Sequence, residues 1–183
     1  MKIALMSFLL VAFSAVCYGT VVQIGMGLDV AGNHHLTGNT NSHNSDVDTG
    51  LSPCIEIMAQ DTSILYGFGA EYQIQRKVEF RNNPGKIGFI PLYGVARYQI
   101  PINSGVKPEL IGQVGYNFIT ADNEYKAGAT LNGGIYWGLG GGLVIDRFVG
   151  QLLFKTNYGT WKYRNDTGSI INTEINLSAG VRF

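Results

Sequence analysis

The sequence is poor in the residues that most enzymes and disulfide-stapled folds depend on. It has 2 cysteines in 183 residues. Cys17 sits in an apolar leader, so only Cys54 remains beyond it and no intramolecular disulfide can form. The 3 histidines, His34, His35 and His43, share one Asn/Ser/Gly-rich stretch. Asp46 and Asp48 follow them, but no spacing is diagnostic of a zinc site, so neither a metal nor another cofactor is expected. A histidine-activated serine would have to be Ser42 or Ser45 in that same stretch, which argues against catalysis. Charge of either sign is not in excess: 13 basic and 13 acidic residues cancel, which removes the electrostatic case for nucleic acid. The glycines of Gly138–Gly142 lie in a strand pattern with no helix after them, so no phosphate-cradling loop is present. Beyond the leader no apolar run approaches the roughly 20 residues of a helical membrane span.

The leader itself reads as an export signal. Lys2 precedes an apolar run from Ile3 to Val16, broken only by Ser7 and Ser14, and small residues follow at Cys17 and Gly19. Cleavage is expected after Gly19, giving a signal peptide over 1–19 and one mature domain over 20–183. Val16 stands where a lipoprotein signal wants a small residue before its cysteine, so lipidation of Cys17 is not expected.

What the chain does have is glycine, aromatics and a period of two. From Ile171 to Phe183 the odd positions are Ile, Thr, Ile, Leu, Ala, Val and Phe, and the even ones are Asn, Glu, Asn, Ser, Gly and Arg. A period of two makes a strand with unlike faces. Seven earlier segments repeat the pattern, near 21–31, 51–60, 63–74, 88–100, 107–120, 134–146 and 147–161. The links between the eight alternate between long and short, as in a barrel with short turns at one membrane surface and long loops at the other. Outward aromatics form two groups. Tyr66, Tyr98, Phe148 and Phe183 lie toward the short-turn end, and Tyr72, Tyr116, Phe118, Trp137 and Tyr158 toward the other. The fold class expected is all-β: an eight-stranded, antiparallel, up-and-down transmembrane β-barrel.

The inward positions carry charge of both signs. Asp29, Glu56, Glu71, Glu109 and Glu174 face Arg97, Lys155 and Arg182, with glycines at 25, 27, 67, 69, 138, 140 and 142 making room. An eight-stranded interior is just wide enough to be filled by side chains, and a buried charge has to be paired. A salt-bridged plug is expected; the alternative is a narrow channel for small solutes or hydrophobic molecules. In the second outer loop Arg76, Lys77, Arg81 and Lys86 form a basic group at the height of lipopolysaccharide phosphates. Tyr125, Lys126 and the run Trp161 to Arg164 flank the same rim.

Three stretches carry a family resemblance: Pro108-Glu109-Leu110-Ile111-Gly112-Gln113-Val114-Gly115-Tyr116-Asn117, Tyr136-Trp137-Gly138-Leu139-Gly140-Gly141-Gly142, and the strand ending in Phe183. Through them the chain resembles the small outer-membrane β-barrels, the eight-stranded group of OmpA-type transmembrane domains and the OmpX and OmpW types. The resemblance spans the whole mature chain. It implies residence in the bacterial outer membrane, contact with outer-membrane lipid and lipopolysaccharide, and assembly by the barrel-assembly machinery, for which Phe183 resembles the terminal aromatic signal. It also implies outer loops open to a host or phage surface ligand. A periplasmic tether of the OmpA kind is not expected. Some similar barrels modify lipid A with a late-strand histidine and serine, and no histidine follows His43 here.

Overall fold

The computed structural model describes residues 19–38, 42–80, 83–126 and 128–183. Positions 1–18 of the expected signal peptide lie outside them, as does Arg81. Ten strands follow in order: β1 (Thr20–Thr37), β2 (Ser42–Val47), β3 (Gly50–Asp61), β4 (Ile64–Glu71), β5 (Gln73–Phe80), β6 (Asn83–Gln99), β7 (Val106–Ala121), β8 (Thr130–Ile145), β9 (Phe148–Tyr163) and β10 (Asp166–Arg182). One short helix, α1 (Asn123–Lys126), sits between β7 and β8. Every pairing is antiparallel.

The ten strands make eight staves. β2 and β3 are one stave broken at Asp48 and Thr49, and β4 and β5 are one broken at Tyr72. The sheet runs β1–β3–β4–β6–β7–β8–β9–β10, and β10 pairs back onto β1 from Gln23↔Arg182 to Thr37↔Ser169, which closes the barrel. Phe183 and Val22 finish the seam with two reciprocal backbone hydrogen bonds of 2.8 and 3.0 Å. Closure leaves no sheet edge, the condition for a strand fold in lipid. Below, the end holding the seam's last bonds is called inner and the opposite end outer.

Glycine and the period of two explain the wall. On the outside, apolar side chains such as Ile24, Leu51, Leu110, Leu139, Leu152 and Leu177 stand exposed along all sides of the barrel. Tyr66, Tyr98, Phe148 and Phe183 bound this band toward the inner end, and Tyr72, Tyr116, Phe118 and Tyr158 toward the outer end. Trp137 departs from its expected place. It lies mid-strand, paired with Val114 and Thr156 and tilted against Phe154. A soluble protein would not expose so continuous an apolar belt, whereas lipid covers it favourably.

The outer connections are tighter than the sequence suggests. β1 and β2 continue as a hairpin to a link at 38–41, and β9 meets β10 through a two-residue turn at Arg164-Asn165. Among the described residues of the outer connections, 122–126 and 128–129 keep the form of a loop, which holds α1. The long polar stretches are strands that run past the apolar band. The outward positions of β2, Ser42, Asn44 and Asp46, are polar and exposed, so this part of the wall stands outside the hydrocarbon. Inner turns are short, with Thr62 and Asp146 at φ 51° and 54°, the left-handed conformation that two-residue hairpins require.

Candidate functional site in the lumen and at the outer rim

The inside of the barrel is layered. Along β9 the inward side chains from inner to outer end are Val149, Gln151, Leu153, Lys155, Asn157 and Trp161. Those facing them form an inner ion cluster, an outer ion cluster and an apolar cap.

In the inner cluster, Arg97 of β6 is fully buried. Its Nε donates to Glu56 Oε2 at 3.1 Å, Nη1 to Glu109 Oε2 at 3.2 Å and Nη2 to Gln151 Oε1 at 3.1 Å. Arg182 donates to Glu109 at 2.7 and 3.0 Å and to Gln23 Oε1 at 2.8 Å. Tyr93 and Gln113 donate to Glu56 Oε1, and Tyr136 donates to Gln113 at 2.6 Å. Gly69 is small for a local reason: a Cβ there would lie 2.5 Å from the Tyr93 ring. Beside these polar groups Met58, Leu65, Val95, Ile111 and Leu153 pack as an apolar lining.

The outer cluster joins Asp29 of β1, Glu71 of β4, Arg76 of β5, Lys155 of β9 and Glu174 of β10. Arg76 Nη2 lies 3.2 Å from Asp29 Oδ2 and 2.9 Å from Glu174 Oε2, and Lys155 Nζ lies 2.6 Å from Glu71 Oε2. Oxygens of the three carboxylates come within 4.8 Å of one another. Amides support them: Gln73 donates to Glu71 at 3.0 Å, Asn172 to Glu174 at 3.1 Å, and Asn176 to Asp29 and to Ser52. Removing one partner from such a pair strands a charge in a low-dielectric site, whereas swapping both for apolar groups is often neutral.

Above both clusters lies the cap. Val78, Ile87, Phe89 and Ile170 are buried together, and Leu36, Val47, Ile119, Leu131, Tyr125 and Trp161 pack on them. Two polar contacts fasten it. Tyr125 Oη and His34 Nε2 are 2.8 Å apart, and the Trp161 indole N–H donates to Thr37 O at 3.2 Å. Burial holds His34 down to about 4. At the rim, the backbone N–H groups of Tyr125 and Lys86 hold the Asp122 carboxyl below its usual range.

All eight inward charges expected from the sequence, Asp29, Glu56, Glu71, Arg97, Glu109, Lys155, Glu174 and Arg182, therefore meet in two ion clusters. The proposed rim group does not stay together. Arg76 is a correction: its side chain is 4% exposed and lies in the lumen, not at a lipopolysaccharide contact. A bulge between Gln73 and Arg76 shifts the register with β6, and one added residue turns every later side chain to the other face. Gly50 leaves room for the crossing, since a Cβ there would lie 2.3 Å from Arg76 Cδ. Lys77 and Lys86 remain exposed on the outside, directly opposite each other. Tyr125 and Trp161 turn inward to the cap, while Lys126, Lys162, Tyr163 and Arg164 are exposed. A second bulge, between Val30 and Asn33, sends His34 inward. Period-two counting breaks down at each bulge, so Arg76 and His34 were missed.

A closed eight-stranded barrel with a lipid-compatible outside and an ion-paired inside defines a class, and comparison with solved structures agrees. The chain has the fold of the bacterial outer-membrane β-barrels. It is similar to the outer membrane protein AlkL in lipid bilayers, at 13% identity and TM-score 0.55, over 91% of this chain and 90% of that one. OprG of Pseudomonas aeruginosa matches at 13% identity and TM-score 0.51, over 91% and 96%. Ail, the attachment invasion locus protein of Yersinia pestis, matches at 13% identity and TM-score 0.51, over 89% and 98%. No family model and no curated relative matches the sequence.

Proposed function

We propose that this protein is an outer-membrane barrel with a closed lumen, and that its work is done at its outer face. In this reading the leader is removed after Gly19, residues 20–183 form the barrel, and Phe183 is the signal for the barrel-assembly machinery. The observation that carries the reading is the sequence of two ion clusters and an apolar cap along the barrel axis. A permeant ion would have to break charge-assisted hydrogen bonds at both levels and then pass Phe89 and Ile170. The outer hairpins extend the wall past the apolar band, a surface suited to contact with lipopolysaccharide or with a ligand on another surface. A non-enzymatic role fits the same geometry. Ser42 Oγ and His35 Nε2 are 3.3 Å apart, but no carboxylate is hydrogen-bonded to His35 among the described residues, so a triad is incomplete.

Conductance across a planar bilayer tests the closed lumen. The refolded mature protein is expected to give no steady single-channel steps. Steady steps whose size changes with Arg97→Gln or Lys155→Met would establish the narrow channel instead.

A further inference from the structure

The ladder between the β2–β3 stave and the β4–β5 stave is interrupted. The β3–β4 ladder ends at Cys54↔Glu71, and pairing resumes only at Val47↔Val78. Between these points 49–52 and 73–76 lie opposite each other without a registered pairing, held at the two ends by Tyr72 N–H to Pro53 O at 3.0 Å and Asp48 N–H to Lys77 O at 3.4 Å. Pro53 contributes to the break. Its carbonyl points to β4, and in an antiparallel strand the N–H of the same residue would point the same way, but proline has none.

A groove of about 410 Å³ opens on the outside of this interruption. Its two halves differ in character. Toward the inner end its walls are the outward side chains of Leu28, Leu51 and Ile74, part of the apolar band. Toward the outer end are Lys77 and Lys86, with Asp48 as the one carboxylate of the lining. The two lysines are directly opposite across β5 and β6, an arrangement that is unfavourable for like charges. Neither enters an ion pair among the described residues. The Asp122 carboxylate near Lys86 accepts from the backbone N–H groups of Lys86 and Tyr125. A backbone ladder interrupted at the edge of hydrocarbon also favours a polar partner at that depth.

We propose that this groove seats an anionic outer-leaflet lipid, its phosphate between Lys77 and Lys86 and the start of its acyl chain along Leu28, Leu51 and Ile74. The proposal deepens the surface-contact reading above and rests on it for the membrane setting. It narrows the basic group of the sequence to two residues. Charge complementarity selects the headgroup, and the apolar half of the groove selects a lipid over a free anion.

Native mass spectrometry of the refolded protein in nonionic detergent tests this, with lysophosphatidylglycerol, lysophosphatidylcholine and inorganic phosphate as probes. One lysophosphatidylglycerol is expected to stay bound per barrel, with lysophosphatidylcholine retained roughly 25-fold less, since each of the two lysines contributes about fivefold toward an anionic headgroup. Lys77→Gln with Lys86→Gln should bring the anionic lipid down to the level of the zwitterionic one, and Lys107→Gln with Lys162→Gln should change nothing. Heat-modifiable gel mobility reports that each variant is folded; should the double variant fail to fold, each single variant is expected to lose about half of the effect on a logarithmic scale. Equal retention of the two lipids, or retention unmoved in the folded Lys77/Lys86 variants, overturns the site. Full displacement of the lipid by stoichiometric inorganic phosphate overturns the lipid as occupant. Conductance of the same preparations separates the two readings: lost lipid selectivity with silent bilayers leaves the closed lumen standing, and steady current with selectivity intact does the reverse.

Discussion

Lys155 shows what a single residue contributes here. Its ammonium is buried against Glu71 at 2.6 Å. Lys155→Met removes the cation and leaves Glu71 stranded, so a loss of about 3–5 kcal/mol is expected in urea unfolding from lipid vesicles. Adding Glu71→Gln removes the stranded charge and should recover most of the loss. A double variant no more stable than the single one would mean that the pair is not the local determinant. His34 gives a pH dependence at the same scale. Folded, its imidazole is held down to about 4, against about 6.5 unfolded. The unfolded chain therefore binds a proton first as pH falls, and stability declines between about pH 6.5 and pH 4, then levels off. His34→Gln keeps a partner for Tyr125 and should flatten that decline in unfolding midpoints measured across this range. An unchanged slope in the variant would assign it to other groups.

At the scale of the strand, face decides everything. Leu152 and Gln151 are neighbours in β9. One is exposed to the outside, and the other accepts a hydrogen bond from Arg97 on its side-chain carbonyl oxygen. Leu152→Arg places a cation in the apolar band and is expected to cost about 2–4 kcal/mol of folding free energy in bilayers. Gln151→Glu offers Arg97 a carboxylate and should cost much less. Equal losses would deny that the outside of β9 meets lipid. Most of the strands were legible from alternation alone, including the inward Tyr93 and all eight lumen charges. Legibility stopped where the backbone gained a residue. Nothing in Gln73-Ile74-Gln75-Arg76 or Val30-Ala31-Gly32-Asn33 announces a bulge, because bulges are set by pairing with a distant strand. For the same reason polar residues beyond the apolar band read as loops when they are strands: hydrophobic alternation ends at the hydrocarbon boundary, but backbone pairing continues past it.

For the whole molecule, the seam governs integrity. Phe183 gives β1 its last two backbone hydrogen bonds and places an exposed ring at the inner aromatic belt. Deleting it should lower insertion into the outer membrane and reduce the heat-modifiable fraction on gels. Normal insertion of the deletion would show the residue to be dispensable. The seam also bears on how the barrel comes into being. Gln23 and Arg182 meet across it although 159 positions separate them in the chain, whereas every other stave joins one close by in sequence. Hairpins can form locally and early, but this join must wait for the rest and meets the largest loop-closure entropy. Until it forms, β1 and β10 both present open edges in or near a membrane, where a neighbouring copy's edge is as good a partner as their own. The final registration of two strands thus sets both the tempo of folding and the interval during which the chain is most prone to aggregate.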